Sequence, residues 1–147
     1  MKEAIANAGV FNLVIIFVIV LLAFFIGSLS YSKAFKTKNK IIEEIEKDQG
    51  IEKNTIDNIE RWMGEIGYRV MNKSFSCPES KGKLISNAKT YQYCIYEHNT
   101  CTKDSDKAKC GKYYEAIAYM YFDVPIAGDM IRIPVKGETM TFNEINS

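Results

Sequence analysis

The stretch VFNLVIIFVIVLLAFFIGSL, Val10 to Leu29, decides the architecture: it is apolar apart from Asn12, Gly27 and Ser28. From Ala4 to Ser32 the chain carries no Asp, Glu, Lys, Arg or His. A bilayer core about 30 Å thick is crossed by about 20 helical residues, and hydrocarbon leaves only helices and closed barrels able to satisfy every backbone group. The stretch therefore predicts a single transmembrane helix, with Val10, Leu13, Ile16, Val20, Phe24 and Leu29 among its membrane-embedded positions. A cleaved signal peptide is the competing reading, because Leu13 to Ile26 has the length of an h-region and Ser28-Leu29-Ser30 offers small residues for cleavage. Against it, the region before the apolar core holds only Lys2 with Glu3 beside it, and the helical pattern runs on past Ser30.

Downstream the composition changes near Lys33. This divides the 147 residues into a transmembrane segment (1–32), an amphipathic helical extension (33–50) and a head domain (51–147). Neither Pro nor Gly interrupts the chain between Ser28 and Asp48, and Tyr31, Phe35, Ile42 and Ile45 recur at helical spacing. Acids and lysines from Lys40 to Lys47 fall at spacings that allow ion pairs along the helix, and Gly50 is the expected left-handed stop. One helix of about 40 residues, roughly 60 Å long, is expected. Phe35, Ile42 and Ile45 mark a candidate assembly face on its outer half.

A second helix is expected around Trp62, capped by Asn54 or Thr55, supported by Asp57 and ended by Gly67, with Ile56, Ile59, Trp62, Met63 and Ile66 on one face. Beyond Tyr68 the apolar period becomes two, which signals strands. Tyr68–Met71, Thr90–Tyr96, Tyr113–Val124, Met130–Val135 and Met140–Phe142 are the candidates. Lys73–Lys89 and Glu97–Lys112 are read as loops, and Lys136-Gly137-Glu138 as a turn. In the longest strand Tyr114, Ala116, Ala118, Met120 and Phe122 share one face and Tyr113, Ile117, Tyr119 and Tyr121 the other, so both faces can be covered. Pro134 suits an edge strand. The fold class is α+β: a long N-terminal helix, a short helix and a small antiparallel sheet stapled by disulfides.

Cys77, Cys94, Cys101 and Cys110 all fall in the head. With sixteen, six and eight residues between them, they lack the tight ligand pairs of a zinc site, and disulfides are the economical reading. Three connectivities are open. Cys77–Cys94 with Cys101–Cys110 is the expected pairing, the second closing the charged loop Thr102–Lys109. Disulfides place the head outside the cytoplasm, whereas Lys33, Lys36, Lys38 and Lys40 after the span favour the opposite orientation. The cysteines carry more weight, because the charge rule is statistical and the lysines can belong to an assembly surface. The expected location is thus the cell membrane, single-pass, with the C-terminal domain extracytoplasmic.

No catalytic constellation is visible. His98 is the only histidine and is read as solvated; no nucleophile elbow, phosphate loop, dinucleotide fingerprint or paired-histidine motif occurs. Asp104-Ser105-Asp106 resembles a fragment of a calcium loop without its Gly and distal Glu. Asn72-Lys73-Ser74 matches a glycosylation acceptor. The net charge of +1 is spread over lysines that alternate with acids except for one short run after the membrane segment. No nucleic-acid reading follows, since a binder of phosphate backbone is expected to show a clustered basic face. No cofactor, metal or small-molecule substrate is expected. The tyrosines between Tyr91 and Tyr121 are read as covering the sheet, with a carbohydrate or partner surface as the alternative.

In layout the chain resembles the type IV pilin-like superfamily, and within it the TadE-like minor pilins or pseudopilins of tight-adherence systems. The resemblance lies in the unbroken helix from Val10 through Phe35 to Lys47, the short helix at Trp62, and a meander containing Tyr119–Pro125 and Ile133–Thr139. It implies a helix that anchors the subunit before assembly and then packs in a filament core, with the head facing outward. Other pilin-like subunits or pilus assembly proteins would be the partners. The chain departs from that family at its processing signal: the fifth residue after Gly9 is Val14, not Glu. A tethered extracellular binding module with an inert anchor is the alternative function. A membrane-bound enzyme or enzyme accessory would need residues the sequence does not display.

Overall fold

The computed structural model describes residues 2–68, 70, 75–86, 90–100, 110–122 and 131–143. The apolar stretch and the amphipathic segment form one helix, α1, Lys2–Lys47. A second helix, α2, spans Lys53–Glu65. Strands β1 (Lys83–Leu84), β2 (Tyr93–Asn99), β3 (Gly111–Phe122), β4 (Ile131–Glu138) and β5 (Phe142–Asn143) follow. The sheet is antiparallel in the order β1-β2-β3-β4, and β5 pairs with the start of β3. The α+β class read from the sequence is the observed one.

Several local expectations are corrected. The left-handed residue that ends α1 is Gln49 (φ 53), not Gly50. Neither Asn54 nor Thr55 caps α2. Glu52 is the cap residue, and Thr55 sits in the first turn, where its Oγ1 accepts the Glu52 N–H (3.1 Å) and donates to Asp48 Oδ2 (2.6 Å). That hydroxyl ties the end of one helix to the start of the next. Gly67 does end α2, at φ +62, a backbone conformation that suits glycine.

Of the expected strand Tyr68–Met71, Val70 makes one isolated bridge to Tyr91, while Arg69 and Met71 lie outside the described residues. The loop reading of Lys73–Lys89 missed β1, and β2 runs on to Asn99. Lys136-Gly137-Glu138 is not a turn but the end of β4. Its glycine serves a close approach, because α1 crosses directly above it. A Cβ on Gly137 would come 2.8 Å from Ile42 Cδ1 and would also meet Lys38 Cδ.

Both helices lie on one face of the sheet. Ile41, Ile45, Ile59 and Met63 pack with Tyr93, Ile95, Tyr114 and Ala116, and burial of each large aliphatic side chain contributes about 1.5–3 kcal/mol. On the opposite face Cys94, Tyr96, Ile117 and Tyr119 are covered by Phe75 and Cys77. Ala116 to Met120 is consequently buried throughout, as the alternation of β3 requires of a two-sided sheet. Pro134 stands on β4, an edge strand, opposite Tyr119.

The side of α1 that meets the sheet is built of small residues. Gly27, Ala34 and Thr37 are buried and Ser30 half-buried before Ile41 and Ile45 continue the stripe. Opposite them β3 presents Ala116 and Ala118, both fully buried, so helix and strand come close. The extension read as a separate segment, 33–50, is thus part of the head's own core.

Candidate functional site

The functional candidate is the half of α1 that the head does not cover, together with its junction. Every residue from Gly9 to Ile26 is exposed. Val10, Leu13, Ile16, Val20, Phe24 and Leu29 range from 54% to 78% exposed. In a folded protein an apolar surface of this extent marks a contact with membrane or with another protein. Length and composition make α1 the one described helix able to cross a membrane.

The junction is fixed by two hydroxyls. β2 begins at Tyr93, opposite Ala118, so among the described residues β3 runs on without a paired strand on that side. There the backbone groups of Tyr119 and Tyr121 are met by side chains. Ser30 Oγ accepts the Tyr121 N–H at 2.9 Å and donates to the Tyr121 carbonyl at 2.7 Å. Tyr68 OH accepts the Tyr119 N–H at 2.8 Å, and its proton serves the carbonyls of Tyr119 or Gln92, both at 3.1 Å. Burial pushes the Tyr68 phenol up to about 12, so it stays a donor at neutral pH.

The three residues expected to form an assembly face separate. Ile45 is fully buried in the head core and Ile42 packs against it, so the protein's own sheet occupies both. Phe35 is 41% exposed, stacked on Tyr31 at 6.1 Å between ring centres, with Lys38 Nζ 4.5 Å over its ring. Beside this flank β4 turns Ile131 and Ile133 toward the helix side of the sheet, as the partners of Phe122 and Met120, and both remain exposed. The residues left open to another molecule are Tyr31, Phe35, Ile131 and Ile133.

Cys77 and Cys94 are joined, the first of the two expected bridges. Cys110 is also disulfide-bonded, and Cys101, its expected partner, lies outside the described residues, as do Asn72-Lys73-Ser74 and Asp104-Ser105-Asp106. His98 is not solvated. It stacks on Tyr113 (4.7 Å) and meets Glu115 Oε2 through Nε2 at 3.2 Å. Ser80 Oγ and Lys136 Nζ also donate to Glu115, at 3.2 and 3.1 Å. Burial alone would push the Glu115 carboxyl up, but the bonds from Lys136, His98 and Ser80 and the Lys136 charge outweigh it and hold the group below its ordinary range. Ser80 is bound to the carboxylate rather than to the imidazole. Among the described residues no three His, Cys, Asp or Glu side chains gather as a metal site.

No protein-family model, curated protein or solved structure matches the chain.

Proposed function

We propose that the protein is a membrane-anchored, non-enzymatic pilin-like subunit or assembly factor of a type IV or tight-adherence-like pilus or secretion system, its head on the extracytoplasmic side. The observation that carries this is the division of one continuous helix: α1 is packed into the head's sheet over its C-terminal half and bare on all sides from Gly9 to Ile26. A simple tether needs apolarity and length, and a linker would serve to join it to a head. Here the helix is rigidly continuous with the head, so that contacts made by the bare half set the position of the sheet. The Cys77–Cys94 bridge supports an oxidising compartment for the head. The open flank of Tyr31, Phe35, Ile131 and Ile133 supplies a place for a neighbouring subunit.

The test is an anchor exchange. Replacing Val14–Ile26 by an unrelated leucine-rich span preserves insertion, which depends on summed apolarity. It is expected to abolish incorporation into the assembly, which depends on side-chain fit between helices. Wild-type function with the exchanged anchor would refute the proposal and favour a tethered binding module.

A further inference from the structure

A notch of about 300 Å³ opens where α1 leaves the head, lined by Leu29, Ser30, Lys33, Tyr68, Tyr119 and Tyr121, with Gly67 alongside. The Ser30 and Tyr68 hydroxyls are already committed to the backbone of β3, and Tyr121 OH donates to Gln92 Oε1. What the notch offers a visitor is therefore tyrosine ring, the Leu29 side chain and the Lys33 ammonium. Lys33 is exposed and, unlike Lys40 and Lys136, has no carboxylate partner among the described residues.

Its height along α1 identifies the visitor. Leu29 closes the apolar stretch and Lys33 lies one turn beyond it, about 6 Å at 1.5 Å per residue. The headgroup layer outside each face of the hydrocarbon core is about 5–7 Å deep, which puts the ammonium level with lipid phosphates. Tyrosine rings favour the same layer. We infer that this notch binds the headgroup of an anionic phospholipid, Lys33 pairing with the phosphate while Leu29 and the tyrosine rings flank the glycerol and first acyl carbons. The inference rests on α1 spanning a membrane and is independent of whether the protein polymerises. A lipid held there would brace the head against the bilayer at the point where the helix emerges.

The test uses the full chain in nanodiscs of phosphatidylcholine with a minor share of phosphatidylglycerol, and counts retained lipid by native mass spectrometry. Wild type should keep one phosphatidylglycerol. Lys33→Gln should lower the share carrying it about fivefold, the factor equivalent to the roughly 1 kcal/mol of one lysine at a membrane surface. Lys36→Gln, exposed and outside the notch, should match wild type, and added inorganic phosphate should not displace the lipid. Unchanged retention in Lys33→Gln overturns the inference. So does an equal loss in both lysine variants, which is diffuse surface charge, or displacement by inorganic phosphate, which assigns a soluble ligand. A chain that does not enter the nanodisc overturns the spanning helix itself, a failure distinguishable from the others.

Discussion

Ser30 Oγ holds both backbone groups of Tyr121, accepting its N–H at 2.9 Å and donating to its carbonyl at 2.7 Å, across 91 residues of sequence. A strand that outruns its neighbour leaves donors and acceptors open, and an unmet buried group costs about 1–3 kcal/mol. One hydroxyl on α1 closes that gap and at the same time fixes where the helix crosses the sheet. The apolar half of α1 is thereby registered to the head by a polar bond rather than by packing alone.

Ser30→Ala is expected to destabilise the full chain by about 1 kcal/mol, since it removes a half-buried hydroxyl that bonds both the N–H and the carbonyl of Tyr121. Tyr68→Phe should act similarly through Tyr119. Denaturant unfolding in detergent measures the size, and amide exchange locates it: Tyr121 should lose protection in the first variant and Tyr119 in the second. An unchanged Tyr121 amide in Ser30→Ala would mean that the serine bond does not hold the strand.

Thr37 is fully buried on α1, and its Oγ1 has no hydrogen-bond partner among the described residues. Valine has nearly the same shape without the hydroxyl, and removing an unsatisfied buried polar group is favourable. Thr37→Val should stabilise the protein by about 1 kcal/mol, read as a higher unfolding midpoint at unchanged denaturant slope.

The long helix, the short helix and the dominant strand were legible because each is written in apolar period. What was not legible followed from size rather than polarity. The side of α1 that meets the sheet reads Gly27, Ser30, Ala34 and Thr37, small or polar types that give no hydrophobic stripe. The conspicuous Tyr31 and Phe35 sit to one side of it and stay exposed. Gly137 looked like a turn because glycine usually punctuates the chain, whereas here it makes room for Ile42 and Lys38. The hydroxyl bonds of Ser30 and Tyr68 join residues 91 and 51 apart, and no local pattern announces such a pair. The exposed half of α1, by contrast, could be read directly, since nothing in the head competes for it.

Glu115 links folding to pH. Its folded carboxyl lies below the ordinary value of 4.5 despite burial, because Lys136, His98 and Ser80 bind its charged form. A lowered folded value means that the unfolded chain takes up the proton first, so the stabilisation is fully present above about 4.5 and is lost as the pH falls through the folded value. Glu115→Gln should therefore be less stable than wild type at neutral pH. The gap between the two unfolding midpoints should close as the medium is acidified below 4.5. A gap that stays constant with pH would show that the carboxylate charge contributes nothing.

The flank of α1 separates assembly from folding. Ile45 is fully buried in the core of the head and Phe35 is 41% exposed, although both belong to the helical pattern that marked a single face in the sequence. Ile45→Glu buries an unpaired charge, which costs several kcal/mol, and should unfold the head whatever the protein does. Phe35→Glu removes a ring stacked on Tyr31 and its contact with Lys38, each worth no more than about 1 kcal/mol at an exposed site. It should leave the head folded and protease-resistant. If the open flank receives a neighbouring subunit, Phe35→Glu nevertheless blocks incorporation, because the new charge would have to be desolvated against Ile131 and Ile133 or their counterpart on the partner. The decisive comparison is protease resistance against incorporation for the two variants. Ile45→Glu should lose both and Phe35→Glu only the second. A folded Phe35→Glu protein that assembles at the wild-type level would remove this flank from the assembly surface and leave the bare half of α1 as the sole candidate.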